Sequence, residues 1–198
     1  MPKSALLLVL SVAAAAAAGV ALETATRAAA QTRLPLLNVP EPTSRPAPSW
    51  SNTSWLNADR PVTLESLRGR VVLLNFWTFT CYNCRNALPS LVAFDQAYRA
   101  RGLTLIGIHT PEFPPYAGEH DKANLAEALK RHGIEYANAQ DNDARTWNLY
   151  RIRYWPSHVL IDRKGQIRYE GYGEFHVGDV HHRLWEKRIG ELLREGER

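Results

Sequence analysis

Three apolar runs of strand length punctuate the chain, and between them apolar residues recur every three or four positions. Residues 71–77 are almost continuously apolar and rich in strand formers, which predicts a strand buried on both faces. Residues 103–108 and 157–162 predict two more of the same kind. After Cys84, the residues Leu88, Leu91, Val92 and Tyr98 fall on one helical face, and Arg101-Gly102 ends it. Pro89 lies inside that helix and predicts a kink. A second helix is expected over residues 119–132, with Leu125 and Leu129 four apart and Gly133 closing it. Residues 134–139 suggest a weak strand and residues 143–150 a short helix. The turn Arg163-Lys164-Gly165-Gln166 leads into a hairpin partner over residues 167–172. Trp185, Ile189 and Leu192 then stand at i, i+4 and i+7 of a closing amphipathic helix. This order predicts an α/β fold, a parallel β-α-β half joined to an antiparallel hairpin. The result is one central mixed sheet with helices on both faces.

The first 49 residues fall outside that pattern. Lys3 precedes an uncharged stretch, residues 5–22, that is 18 residues long and dominated by Ala, Leu and Val. Small residues then run to Ala30, so residues 1–30 read as a secretory signal peptide, or as an uncleaved anchor. Residues 31–49 hold Pro35, Pro40, Pro42, Pro46 and Pro48 among polar neighbours and read as an extended linker. The folded domain is expected over residues 50–198. Apolar content of 45% and charged content of 22% are ordinary for a globular protein. The net charge of +4 comes from scattered Lys and Arg, which argues against a nucleic-acid partner. An exported, bacterial periplasmic protein is expected.

Export changes the meaning of the only two cysteines, Cys81 and Cys84. In an oxidising compartment a pair is stable as a disulfide. Two intervening residues make a poor staple, because closing so short a loop removes little entropy from the unfolded chain. Redox chemistry or metal binding remains. A strand that delivers Cys-x-x-Cys to the start of a helix points to redox. There Cys81 faces unpaired backbone N–H groups and the positive end of the helix dipole, which favour its thiolate. Cys84, one turn on, suits the resolving role, attacking Cys81 in a mixed disulfide to release product.

The motifs Phe76-Trp77-Thr78-Phe79-Thr80-Cys81-Tyr82-Asn83-Cys84, Gly107-Ile108-His109-Thr110-Pro111-Glu112-Phe113 and Arg153-Tyr154-Trp155-Pro156-Ser157-His158 carry a resemblance. The chain resembles the thioredoxin superfamily, in particular exported TlpA/ResA-like proteins and the thioredoxin-like domain of DipZ-type proteins. The likeness covers about residues 50–180. It implies a thioredoxin-like fold and an exported thiol–disulfide oxidoreductase that needs no cofactor. Protein thiols and disulfides would be its substrates, a membrane electron-transfer protein its recycling partner, and a monomer its state. Pro156 would take the position of the superfamily's cis-proline and, with Trp77 and Trp155, form the substrate side of the site. Asn75 stands where many thioredoxins carry a buried Asp. Glu112 fits the position from which TlpA/ResA-like proteins present a Glu, and a partly buried carboxylate there would take the proton of Cys84. On that reading Glu112→Gln raises the apparent pKa of Cys84.

Other chemistries are weighed on the same residues. A copper or zinc site would join the two cysteines to an imidazole such as His158, though copper-delivery proteins on this fold resemble a Cys-x-x-x-Cys pattern. A peroxiredoxin calls for Pro-x-x-x-Thr-x-x-Cys. Thr78 fits it, but Leu74 stands where proline should be. A docking module with an inert disulfide is the non-enzymatic alternative. The dipeptide Tyr82-Asn83 leaves oxidant against reductant open.

Overall fold

The strand predicted at residues 71–77 is the axis of the sheet. A computed structural model describes residues 41–114 and 117–195, all within the unit Leu37–Arg198. The elements are β1 (Glu41–Pro46), β2 (Trp55–Leu56), β3 (Val71–Trp77), α1 (Tyr82–Tyr98), β4 (Leu103–His109) and α2 (Lys122–Arg131). They continue with β5 (Asn138–Gln140), α3 (Arg145–Leu149), β6 (Ser157–Ile161), β7 (Gln166–Tyr172) and α4 (Val180–Glu195). The seven strands form one sheet in the order β1-β7-β6-β3-β4-β5-β2. β3 lies parallel to β4 and antiparallel to β6, so every one of its residues is buried.

Alternation along β3 divides the core in two. Val71, Leu73 and Trp77 meet Leu88, Leu91 and Phe94 of α1, Leu125 and Leu129 of α2, and Trp185, Ile189 and Leu192 of α4. Val72, Leu74 and Phe76 face the other way, toward Trp50, Leu64, Trp147 and Tyr150. Helices therefore cover both faces. α1 is one helix through Pro89, whose ring is on the exposed side. Gly107 of β4 permits a close approach from its neighbour. A Cβ there would stand 1.8 Å from Asn138 Oδ1, the oxygen that accepts the Trp77 indole N–H at 3.0 Å.

Three boundaries differ from expectation. Residues 41–46, read as linker, form the outer strand β1 and pair antiparallel with β7. Proline is tolerated in an edge strand, where one side of the backbone needs no partner. The pairing shifts register between Pro42 and Arg45, and Arg45 reaches Glu170 at 2.6 Å. α2 begins at Lys122 rather than residue 119, because Asp121 caps it by accepting the Ala123 N–H at 2.6 Å. That leaves Glu119 in the preceding loop. β5 is shorter than residues 134–139. The expected signal or anchor segment, residues 1–30, and linker residues 31–40 lie outside the described residues. Among those described, no helix is long and apolar enough to cross a membrane.

Candidate active site

β3 ends at Trp77, and the loop Thr78-Phe79-Thr80 hands the chain to Cys81, the N-cap of α1. Cys81 is half-buried and its Sγ accepts the Cys84 backbone N–H at 3.2 Å. Cys84 is only 1% exposed, and both residues are free thiols. The hydrogen bond from the Cys84 thiol, with the backbone N–H groups of Cys84 and Asn83, holds the Cys81 pKa down. Burial and the Glu112 charge oppose it. Burial drives the Cys84 pKa strongly upward, and the neighbouring Cys81 sulfur adds to it. The pair is thus split into a half-buried, more acidic thiol and a buried, less acidic one.

The other expected site residues divide. The Trp155–Pro156 bond is cis and Pro156 is buried. Ser157 pairs with Phe76 across the sheet, so Pro156 stands level with Trp77, where β3 turns toward Cys81. Trp155 is half-buried, stacked on Trp147 with ring centroids 4.0 Å apart, and donates its indole N–H to the Thr110 carbonyl at 3.0 Å. Buried Asp141 supports that stack by accepting the Trp147 N–H at 2.8 Å and the Thr110 hydroxyl at 3.0 Å. Trp77 is a correction. It is fully buried, so it offers a substrate no surface and serves as the floor of the site.

Glu112 also departs from expectation. Its side chain is exposed rather than partly buried, and its charge raises the pKa of both thiols. Neutralising it should therefore lower those pKa values, the opposite of the sign inferred from sequence. Asn75 is buried beside Tyr136. His158 is turned to the Gly173 carbonyl, 3.3 Å from Nε2. Among the described residues no group of three His, Cys, Asp or Glu could hold a metal ion.

Residues 43–170 match the AhpC/TSA family. The chain belongs to that family. It is 47% identical over 124 residues to the protein DipZ of Mycobacterium bovis, covering 62% of this chain but 17% of that protein. It thus spans less than a fifth of the DipZ protein it matches. It is 28% identical over 145 residues to the thiol-disulfide oxidoreductase YkuV of Bacillus subtilis, covering 73% of this chain and 90% of that one. A thioredoxin family thiol:disulfide interchange protein of Chlorobium tepidum superposes with a TM-score of 0.58 at 25% identity. That match covers 77% of this chain and 99% of the other. The fold is thioredoxin-like.

In this AhpC/TSA chain, sequence reading missed two buried polar residues beside the cysteines. His109, paired with Trp77 across the sheet, puts Nε2 3.2 Å from Thr78 Oγ1 and 3.4 Å from the Phe79 N. Its ring stacks on Phe79, and burial lowers its pKa to about 4, so it is neutral. Glu119 is fully buried. One carboxylate oxygen accepts the hydroxyls of Thr78 and Thr80. The other accepts the backbone N–H groups of Glu112 at 2.9 Å and Phe113 at 2.7 Å. Burial alone would raise its pKa, but these four bonds outweigh that and hold it below the ordinary carboxylate value. The available signal was two hydroxyls and an imidazole at the ends of buried strands, which need polar partners.

Proposed function

We propose that the chain is an exported thiol–disulfide oxidoreductase acting on protein substrates, with Cys81 as nucleophile and Cys84 as resolving thiol. The observation that carries this reading is the placement of the pair at the start of α1: Cys81 is half-buried at the N-cap, its Sγ accepts the Cys84 N–H at 3.2 Å, and Cys84 is buried one turn on. A structural disulfide has no use for one half-exposed sulfur at a helix N-cap beside a buried partner. As a reductant, the Cys81 thiolate attacks a substrate disulfide and forms a mixed disulfide, releasing one substrate thiolate. Cys84 then loses its proton and attacks Cys81 Sγ. The second substrate thiolate leaves, the two thiolates take up protons, and the pair is left as a Cys81–Cys84 disulfide. Run backwards, the same steps oxidise a dithiol.

Polypeptide substrates suit the surroundings. Tyr82, next to Cys81, and Phe113 and Tyr154, in the segments that carry Glu112 and Pro156, are exposed, and the Trp155–Pro156 segment offers a wall against which an extended chain can lie. The amino-terminal pattern supports export, and the resemblance to DipZ-type proteins supports recycling by a membrane electron-transfer protein. Glu112 acts on the pair through its charge.

Trapping tests the reading. Cys84→Ser should accumulate mixed disulfides between Cys81 and protein partners, released by dithiothreitol. Failure to trap any partner, in a protein whose Cys81 is still alkylated, would refute the assignment. The reduction potential then gives the direction: a value near roughly −270 mV marks a reductant, one near roughly −120 mV an oxidant.

A further inference from the structure

The buried carboxylate of Glu119 is used by no step of the exchange, yet four donors from two loops converge on it. Two are the hydroxyls of Thr78 and Thr80, in the segment that ends at the N-cap Cys81. Two are the backbone N–H groups of Glu112 and Phe113, in the loop that presents the exposed carboxylate of Glu112. We propose that Glu119 is a positioning residue for the Cys81–Cys84 reaction, clamping the Glu112 loop to the cysteine loop and thereby fixing how strongly the Glu112 charge acts on the thiols. The inference rests on the oxidoreductase reading for its purpose, although the clamp itself is geometric.

Four converging donors suit a carboxylate. Ionised Asp or Glu only accepts, whereas a Gln of the same shape turns one acceptor into an NH2 donor. In Glu119→Gln that NH2 group meets either two hydroxyls or two backbone N–H groups. Rotating the hydroxyls can accommodate it on one side, and nothing can on the other. With the oxygen kept on the backbone N–H groups and the hydroxyls turned to accept from the NH2 group, the charge-assisted bonds become weaker neutral ones, so the two loops are held together less firmly. His109 packs on the far side, with Nε2 against Thr78 and Phe79. The charged and titratable groups that bear on the clamp are therefore His109, His120, Glu112 and the two cysteines.

The distinguishing measurement is the pH dependence of Cys81 alkylation, taken in the full chain on four proteins: wild type, Glu112→Gln, Glu119→Gln and the double variant. In the wild-type background Glu112→Gln lowers the alkylation midpoint, because the carboxylate opposes the thiolate. In the Glu119→Gln background the same substitution should move the midpoint by less than half as much. An undiminished effect overturns the proposal. Thr80→Val removes one donor and no charge, and should weaken the Glu112 effect in the same sense. If Glu119→Gln does not fold, Thr80→Val decides alone, and an undiminished effect there is equally fatal. Alkylation needs no protein substrate, so a negative result with Cys84→Ser trapping would refute the oxidoreductase reading and leave this measurement intact.

Discussion

Gly107 shows how a single residue positions the site from beneath. A side chain there would collide with Asn138 Oδ1 at 1.8 Å and approach the Trp77 Nε1 at 2.9 Å. Gly107→Ala must therefore displace the Asn138 amide and strand the indole N–H under the loop that leads to Cys81. Overpacking of a filled core costs about 1–3 kcal/mol, and an unpaired buried donor adds to it. Chemical denaturation should show a loss of at least that size, with slower alkylation of Cys81. A stability within a few tenths of wild type would show that Asn138 moves freely. At this scale the sequence was legible where partners are near neighbours: the Cys81–Cys84 pair and the Trp155–Pro156 dipeptide lie in short local motifs. Glu119 was not, because its hydroxyl partners lie 39 and 41 residues away and it sits in a loop that carries no periodicity of its own. Glu112 was found but given the wrong environment, since the prolines around it say nothing about which carboxylate turns inward.

Among the elements, β1 was the least legible and carries the clearest consequence. Its proline content reads as linker, and only pairing with β7 makes it a strand. Residues paired over 120 positions apart leave no local trace. Without β1, β7 becomes an edge whose backbone groups are open to another chain, a recognised route to association. Removing the chain through Pro46 should lower the melting temperature and produce concentration-dependent self-association in size-exclusion chromatography. A truncated chain that elutes and melts like the parent would mean that β1 adds nothing to the sheet edge. α1 was legible because its apolar face and its cap coincide in one stretch. α2 was misplaced by three residues because Asp121, which satisfies its first N–H groups, was read as interior.

Across the whole molecule, the buried strands read directly from hydrophobic runs, and their order gave the mixed sheet. What those runs concealed is that the sheet buries imidazoles on both of β3's neighbours, β4 and β6. His109 on β4 and His158 on β6 are 0% and 1% exposed, and burial lowers each to about 4. An unfolded chain binds these protons at about 6.5, so below that pH the unfolded state takes up more protons than the folded one. Stability is then complete above about pH 6.5 and falls as the pH drops toward 4, by on the order of 3 kcal/mol for each histidine. Glu119, held below the ordinary carboxylate value, adds a further loss only at lower pH, once the unfolded chain begins to protonate that group. The acid response should therefore begin with the histidines and end with the carboxylates. Urea unfolding at pH 7.5 and at pH 5 should show a clear fall in midpoint. His158→Leu should be less stable at pH 7.5, where Gly173 loses its partner, yet should lose less on going to pH 5. A midpoint that does not move between the two pH values, or a fall in His158→Leu equal to the parent's, would mean that the imidazoles are protonated in the folded protein.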